Sequence, residues 1–334
     1  MEKFKHIIVI DSLRGFAALS VAIFHFTYTT LNFIESESAR NFFQFGGLGV
    51  HIFFVISGVV IPLSLINGNF KYKFAGKFLL KRVVRIEPPY LATLIIALLF
   101  ILFKNQFLSP DHHIDFPSWG KILAHLGYLV PFFDDMRWVN EVFWTLAIEF
   151  QYYLLVMILY PFLLSDKLWK RSVFYLFMFA MPFFIDSHRF FFHYASLFLM
   201  GMVLSLYIKE KISKLEFLII LLGATVFTNF YLGTREAVAG LIPLVLIYYF
   251  PQWKSKPTLF LGKISYSLYL IHPIFGAAVV NHLSHNAETF LEKSLVVITG
   301  VVVAIVSAFI MYWFIEKPSQ KASKKIKYSE NNVE

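Results

Sequence analysis

Cysteine is absent from the 334 residues. That excludes disulfides, a thiol nucleophile, a thiolate metal site and any redox clue to compartment. Charge is scarce too: Asp, Glu, Lys and Arg make up 15% of the chain against 58% hydrophobic residues, and the mean hydropathy is +0.65. So little polar matter excludes a soluble globular domain. The apolar/polar alternation of a membrane β-barrel is missing, as are internal repeats and any domain boundary. The start, Met-Glu-Lys-Phe-Lys-His, resembles the basic opening of a signal peptide. No small-residue cleavage site follows its apolar run, which therefore reads as an uncleaved first helix.

What the chain does have is apolar blocks of roughly 17–25 residues, the length that crosses ~30 Å of hydrocarbon. Its 40 Phe and 17 Tyr suit lipid-facing and interfacial surfaces. The expectation is an all-α, polytopic membrane protein, a single domain over residues 1–334. About ten transmembrane helices are placed near 13–33, 47–66, 88–107, 141–164, 172–187, 194–210, 215–232, 237–252, 264–283 and 293–315. With that alternation, 23 of the 30 basic residues fall on the face that carries both termini. The positive-inside rule makes that face cytoplasmic. The net charge of +9 then reflects topology and contact with anionic lipid, with no nucleic-acid partner implied. Residues 318–334 read as a disordered, charged cytoplasmic tail.

Six stretches carry chemistry. In the first span Arg14 and His25 are eleven residues apart. On a helix that is three turns plus ~20°, so both lie on one face, ~16 Å apart along the axis. In the second span Gly49 and Gly58 permit close helix approach, and Ser57 can hydrogen-bond across an interface. At the start of the third, Arg82 and Arg85 share a face and can clamp phosphate. Pro88-Pro89 is expected to end one helix and start the next. In the fourth, the motif from Trp144 holds Glu149, a carboxylate that must face a cavity or a partner. In the ninth, Tyr269 and His272 are three apart, and Pro273 can kink the helix. At the exit of the tenth, Glu316 can pair with Arg14, Arg82 or Arg85, or face water.

Depth groups them. Counted from the span ends, His25, Glu149 and His272 all reach the middle third of the bilayer, above Arg14, Arg82 and Arg85 at the cytoplasmic rim. This suits an anionic, phosphate-bearing ligand that enters from the cytoplasm with its reactive end at the midplane. The bland reading of the same residues is basic anchors, packing glycines and satisfied interhelical hydrogen bonds. Asp111, His112, His113, Asp115, Asp134 and Asp135 in the loop near 108–140 lack the paired spacing of a metal site, and no metal is expected. His188, His193, His282 and His285 are expected to face water.

The chain resembles the acyltransferase-3 family of bacterial membrane O-acyltransferases. The resemblance rests on Arg14 with His25, the run from Gly49 to Gly58, Lys81-Arg82 with Arg85-Ile86 and Tyr90, Trp144 with Glu149, Ser265-Tyr266 with Tyr269 and His272, and Glu316-Lys317-Pro318. These occur in family order along nearly the whole chain. His51 stands where the family often has an acid, and Lys81 where it often has the first Arg of a pair. No hydrolase-like extracytoplasmic domain is visible, so a stand-alone transferase is expected.

The resemblance implies a bacterial plasma-membrane enzyme. Its donor would be acetyl-CoA or another short acyl-CoA, and its acceptor a sugar hydroxyl on a surface or exported glycan, free or lipid-linked. It implies Arg14, Arg82 and Arg85 as donor-binding residues, His25 and Glu149 as catalytic ones, and Trp144, Tyr269 and His272 on the acceptor. His25 would take the hydroxyl proton or itself carry the acyl group, with Glu149 orienting it or binding the sugar. Two other classes compete. A secondary transporter or flippase would use the same groups as a proton relay, and a receptor or scaffold would use the basic cluster for lipid.

Overall fold

The computed structural model describes residues 4, 7–30, 33–108 and 114–328. Every regular element in them is helical. In chain order these are α1 (Val9–Thr27), α2 (Glu37–Gln44), α3 (Gly49–Asn67), α4 (Ala75–Phe103), α5 (Trp119–Leu126), α6 (Phe143–Leu163) and α7 (Leu168–Ala180). They continue as α8 (Ala195–Ile208), α9 (Lys214–Tyr231), α10 (Thr234–Tyr249), α11 (Lys256–Ile271), α12 (Gly276–Ser284), α13 (Phe290–Met311) and α14 (Lys317–Lys325). Several begin where a short polar side chain accepts a first-turn N–H: Ser36, Ser118, Ser213, Ser255 and Thr289.

Helix occupies most of the described residues in each of the ten expected spans. Seven helical segments among the described residues are long and apolar enough to cross a membrane, or eight if α11 and α12, bent by 62° at their break, count as one. The other two expected spans are short: α7 has 13 residues and α10 has 16, against the ~20 that a crossing needs. The protein is thus an all-helical, multi-pass membrane protein.

Three expectations need correction. First, α4 does not stop at Pro88-Pro89 but runs through both. Pro89 lacks the N–H that would bond the Arg85 carbonyl. Ser319 Oγ donates to that carbonyl instead, at 3.1 Å, the repair that lets membrane helices keep internal prolines. Second, the tail is ordered through Tyr328. Helix α14 lies along α4, with Ser319 on Arg85 O and Ser323 on Lys81 O at 2.8 Å, and the Tyr328 ring packs on Phe70 at 5.4 Å. Only 329–334 fall outside the described residues at this end. Third, α1 ends at Thr27, not near 33, so His25 sits in its last turn and not halfway along it.

Small residues set the closest crossings. Helices α1 and α11 run parallel, with the Ser12 and Thr258 hydroxyls 3.0 Å apart and Gly15 against the Leu261–Gly262 backbone. Helices α3 and α8 cross at Gly58 and Gly201, where a Cβ on either would strike backbone of the other helix. Backbone cannot swing aside as a side chain can. Gly201→Leu should therefore cost about 1–3 kcal/mol, the usual overpacking penalty, and lower the thermal midpoint in detergent. An unchanged midpoint would contradict this packing.

At the lysine-rich end, Arg171 is not a lipid anchor. Its guanidinium makes two 2.7 Å bonds to Glu216, and Tyr175 Oη donates to the same carboxylate at 2.9 Å, pinning α7 to α9. The described part of the long loop is organised by His125. Its Nδ1 bonds Lys121 O at 2.7 Å and its Nε2 accepts the Val139 N–H at 3.0 Å. Tyr90 Oη of α4 donates to the His125 carbonyl at 2.8 Å. Burial lowers the His125 pKa, which keeps the ring in the neutral form this pattern requires.

Candidate functional site

Two cavities meet in the middle of the bundle. The lower one opens toward the lysine-rich end and encloses about 950 Å³, mouth included. Helix α1 contributes Arg14, α4 contributes Arg82 and Arg85, and the stretch after α13 contributes Glu316. Helix α6 lays a polar stripe down its wall, because Thr145, Glu149 and Tyr153 recur every four residues and share a face. Arg82 is buried, its guanidinium 5.4 Å from the Phe78 ring centre and 5.6 Å from that of Tyr153. One of its nitrogens donates to Ser64 Oγ at 3.2 Å, while Nε is buried without a partner among the described residues.

The two carboxylates of this cavity are engaged elsewhere. Glu149 Oε1 accepts from Tyr153 Oη at 2.5 Å and Ser57 Oγ at 3.2 Å. Glu316 is 2% exposed and accepts Ser267 N–H at 3.1 Å, Ser267 Oγ at 2.5 Å and Gln320 Nε2 at 2.8 Å. Hence Glu316 does not face water, and it forms no contact ion pair among the described residues. Among the described residues none of the three arginines has a carboxylate within salt-bridge distance. Three cations held without a contact ion pair among the described residues, with Glu316 acting on Arg14 and Arg85 only at longer range, keep hydrogen-bonding capacity for an anionic ligand.

The upper cavity, toward the other end, is lined by His25, Tyr28, Gln44, His51, Trp144, Tyr194, Arg235 and Glu236. Tyr269 and Val50 line both cavities, so they form the join. The Tyr269 hydroxyl is 2.9 Å from Thr145 Oγ1. The His25 and His272 rings meet at 5.1 Å between centres. Parallel packing explains this: Gly15 abuts Gly262, and the histidines stand ten residues further along each helix. His272 is fully buried, its Nδ1 is 3.0 Å from Leu268 O, and its Nε2 has no partner among the described residues. The His25 imidazole makes no hydrogen bond to another described residue, although Thr29 Oγ1 donates to its carbonyl at 2.7 Å.

The structure thus brings Arg14, Arg82, Arg85 and Glu149 together, and separately His25, His272, Trp144 and Tyr269. It does not join Glu149 to His25. The α6 stripe that carries Glu149 faces Ser57 and Arg82, whereas His25 lies beyond Tyr269. His25 and His272 thus meet, while Glu149 lines the other cavity. Tyr153, Tyr266 and Gln320 were missed as cavity residues. Tyr153 was readable as the residue one turn after Glu149, and Tyr266 as the residue one turn before Tyr269. Gln320 had no signal. His282, His285 and His188 are exposed as expected, while His193 is half-buried, 3.3 Å from Asp186. Of the loop acids and histidines, Asp111, His112 and His113 lie outside the described residues. Among the described ones no group of three or more His, Asp or Glu could hold a metal ion.

Comparison with known proteins gives this arrangement a family. Residues 7–313 match the family described as an acyltransferase domain. The chain is 26% identical to the O-acetyltransferase OatA of Staphylococcus aureus, over 95% of this chain and 57% of that protein's length. It is 28% identical to ORF330 of Acidianus two-tailed virus, which carries an acetyltransferase name, over 79% of this chain and 81% of the viral one. The chain spans little more than half of OatA, and no solved structure matches it. With the family match running from the start of α1 to the end of α13, the protein belongs to the acyltransferase-3 family and is a membrane acyltransferase.

Proposed function

We propose that the protein is an O-acyltransferase that takes an acyl group, most simply acetyl, from cytoplasmic acyl-CoA and places it on a sugar hydroxyl of an exported glycan. One observation carries the reading. Three guanidiniums without ion pairs among the described residues line a cavity that Tyr269 joins to the pocket of His25. CoA carries a pyrophosphate and a 3′-phosphate, and arginine's planar fork fits phosphate oxygens two at a time. The excess of Lys and Arg at that end makes it cytoplasmic by the positive-inside rule, the side where acyl-CoA is available.

With the phosphates among Arg14, Arg82 and Arg85, the pantetheine arm extends past Glu149 toward Tyr269 and brings the thioester to His25. The sugar comes from the other end, where Trp144 and Tyr194, rings 5.7 Å apart, offer an aromatic wall for its apolar face. In direct transfer, a free ring nitrogen of His25 takes the hydroxyl proton as the sugar oxygen attacks the thioester carbonyl. The intermediate collapses, the C–S bond breaks, and the CoA thiolate leaves to be reprotonated. Transfer through an acyl-histidine would use the same nitrogen as nucleophile.

Glu149 serves the donor cavity here and does not orient His25. Glu149→Gln should therefore change acyl-CoA affinity and leave the pH profile of turnover unmoved. The test is transfer of labelled acetyl from acetyl-CoA to surface glycan by membranes carrying each variant. A Glu149→Gln enzyme with unchanged affinity and a shifted pH profile would return Glu149 to the base.

A further inference from the structure

The break between α11 and α12 also opens a third space, at the side of the bundle. At Pro273 the chain turns by 62°, and α12 swings away from α4 instead of continuing beside it. Ile274 in the break and Ala277 of α12 then line, with Phe100 and Ile101 of α4, a cleft of about 1690 Å³, open mouth included. Ala97 and Ile101 of α4 and Lys104 just past its end recur at helical spacing and form one wall, with Ile114, Val139 and Asn140 beside them. The neighbouring stripe of α4, Ile95, Leu99 and Leu102, is exposed and apolar, as a surface against hydrocarbon should be. The cleft's mouth therefore lies where lipid chains are.

Its far rim has a different chemistry. Lys104, His282 and His285 line it, with Glu141 the only acid among the described lining residues. Lys104 is one of few basic residues at this end of the bundle. At its inner end the cleft reaches His25, which also lines the upper cavity. An apolar side wall, a rim where Lys104 stands beside two imidazoles that can donate hydrogen bonds, and the proposed base at the bottom match one kind of molecule: a long-chain lipid joined through phosphate to a sugar.

We propose that the acceptor enters through this cleft as a phosphate-linked glycolipid. Its hydrocarbon lies along the α4 stripe, its phosphate rests at Lys104 and the two histidines, and its sugar reaches His25. The proposal rests on the acyltransfer reading above for what happens at His25. Occupation of the cleft is a separate observable that needs no turnover.

The test uses the full chain in phosphatidylcholine vesicles with undecaprenyl phosphate bearing a photoreactive group. Crosslinked peptides are mapped by mass spectrometry. Labelling should concentrate on residues 96–104 and 273–285, and Lys104→Ala should lower it about fivefold, the scale of one lysine near an anionic headgroup. Acyl-CoA binding by the same variant should be unchanged. Labelling spread evenly over the lipid-exposed faces of α9 and α13 would overturn the proposal. So would complete displacement of the label by phosphatidylglycerol, which would make the cleft an ordinary anionic-lipid site. Either result would leave the acyl-CoA reading intact, because that reading stands or falls with His25 and the arginines.

Discussion

His25→Gln should insert and bind acyl-CoA as the native protein does, yet lose glycan acylation by at least about 10²–10⁴-fold, the usual contribution of a general base. Glutamine keeps a polar side chain of similar reach but cannot take a proton at neutral pH. The His25 ring is free of hydrogen bonds to other described residues and packs on His272 at 5.1 Å, so its replacement breaks no polar network that holds the fold. His25→Ala should behave alike. The check is labelled acetyl transfer by purified variants beside acyl-CoA binding by the same preparations. Near-normal turnover by His25→Gln would make this histidine structural.

Arg82→Ala and Arg85→Ala should each weaken acyl-CoA binding by about 1.5–3 kcal/mol, the scale of a hydrogen bond to a charged group, which is roughly tenfold to a hundredfold or more. The double variant should lose most measurable binding. Lysine at either site should restore only part of it, since an ammonium lacks the planar fork. Lys254→Ala, an exposed basic residue at the same end, should change nothing. Isothermal titration with acetyl-CoA and with dephospho-CoA separates the phosphate contacts. Unaltered affinity in the folded double variant would reduce the pair to lipid anchors.

Much of the fold was legible because apolar blocks announce helices, and the helix positions hold within a few residues for most of the chain. Where the reading failed, the cause lay far away in sequence. Pro88-Pro89 breaks a helix by local rules, but Ser319 repairs the freed carbonyl from the other end of the chain. Ser319 and Ser323 are spaced to dock on α4, yet the lysine-rich composition around them reads as disorder. Nothing in the run after Thr27 marks a stop, so α1 was drawn too long and His25 too deep. The meeting of His25 with His272 was half visible. Each follows a glycine by ten residues, but only the parallel packing of α1 on α11 turns equal spacing into contact. Glu149 was correctly read as facing a cavity. Which cavity it faces depends on Ser57 and Tyr153, and the spacing of the α6 stripe alone does not choose between them.

The central claim is that the arginine-lined cavity takes acyl-CoA from the cytoplasmic side and delivers its acyl group to a glycan through His25. Its most direct test is transfer across a vesicle membrane. Protein is reconstituted in one orientation, labelled acetyl-CoA is supplied only on the side of the lysine-rich end, and isolated surface glycan only on the other. The account predicts acetylated glycan with the native protein and none with His25→Gln or the Arg82/Arg85 double variant. Transfer that proceeds equally well with acetyl-CoA on the opposite side, or that survives loss of both arginines, would contradict it.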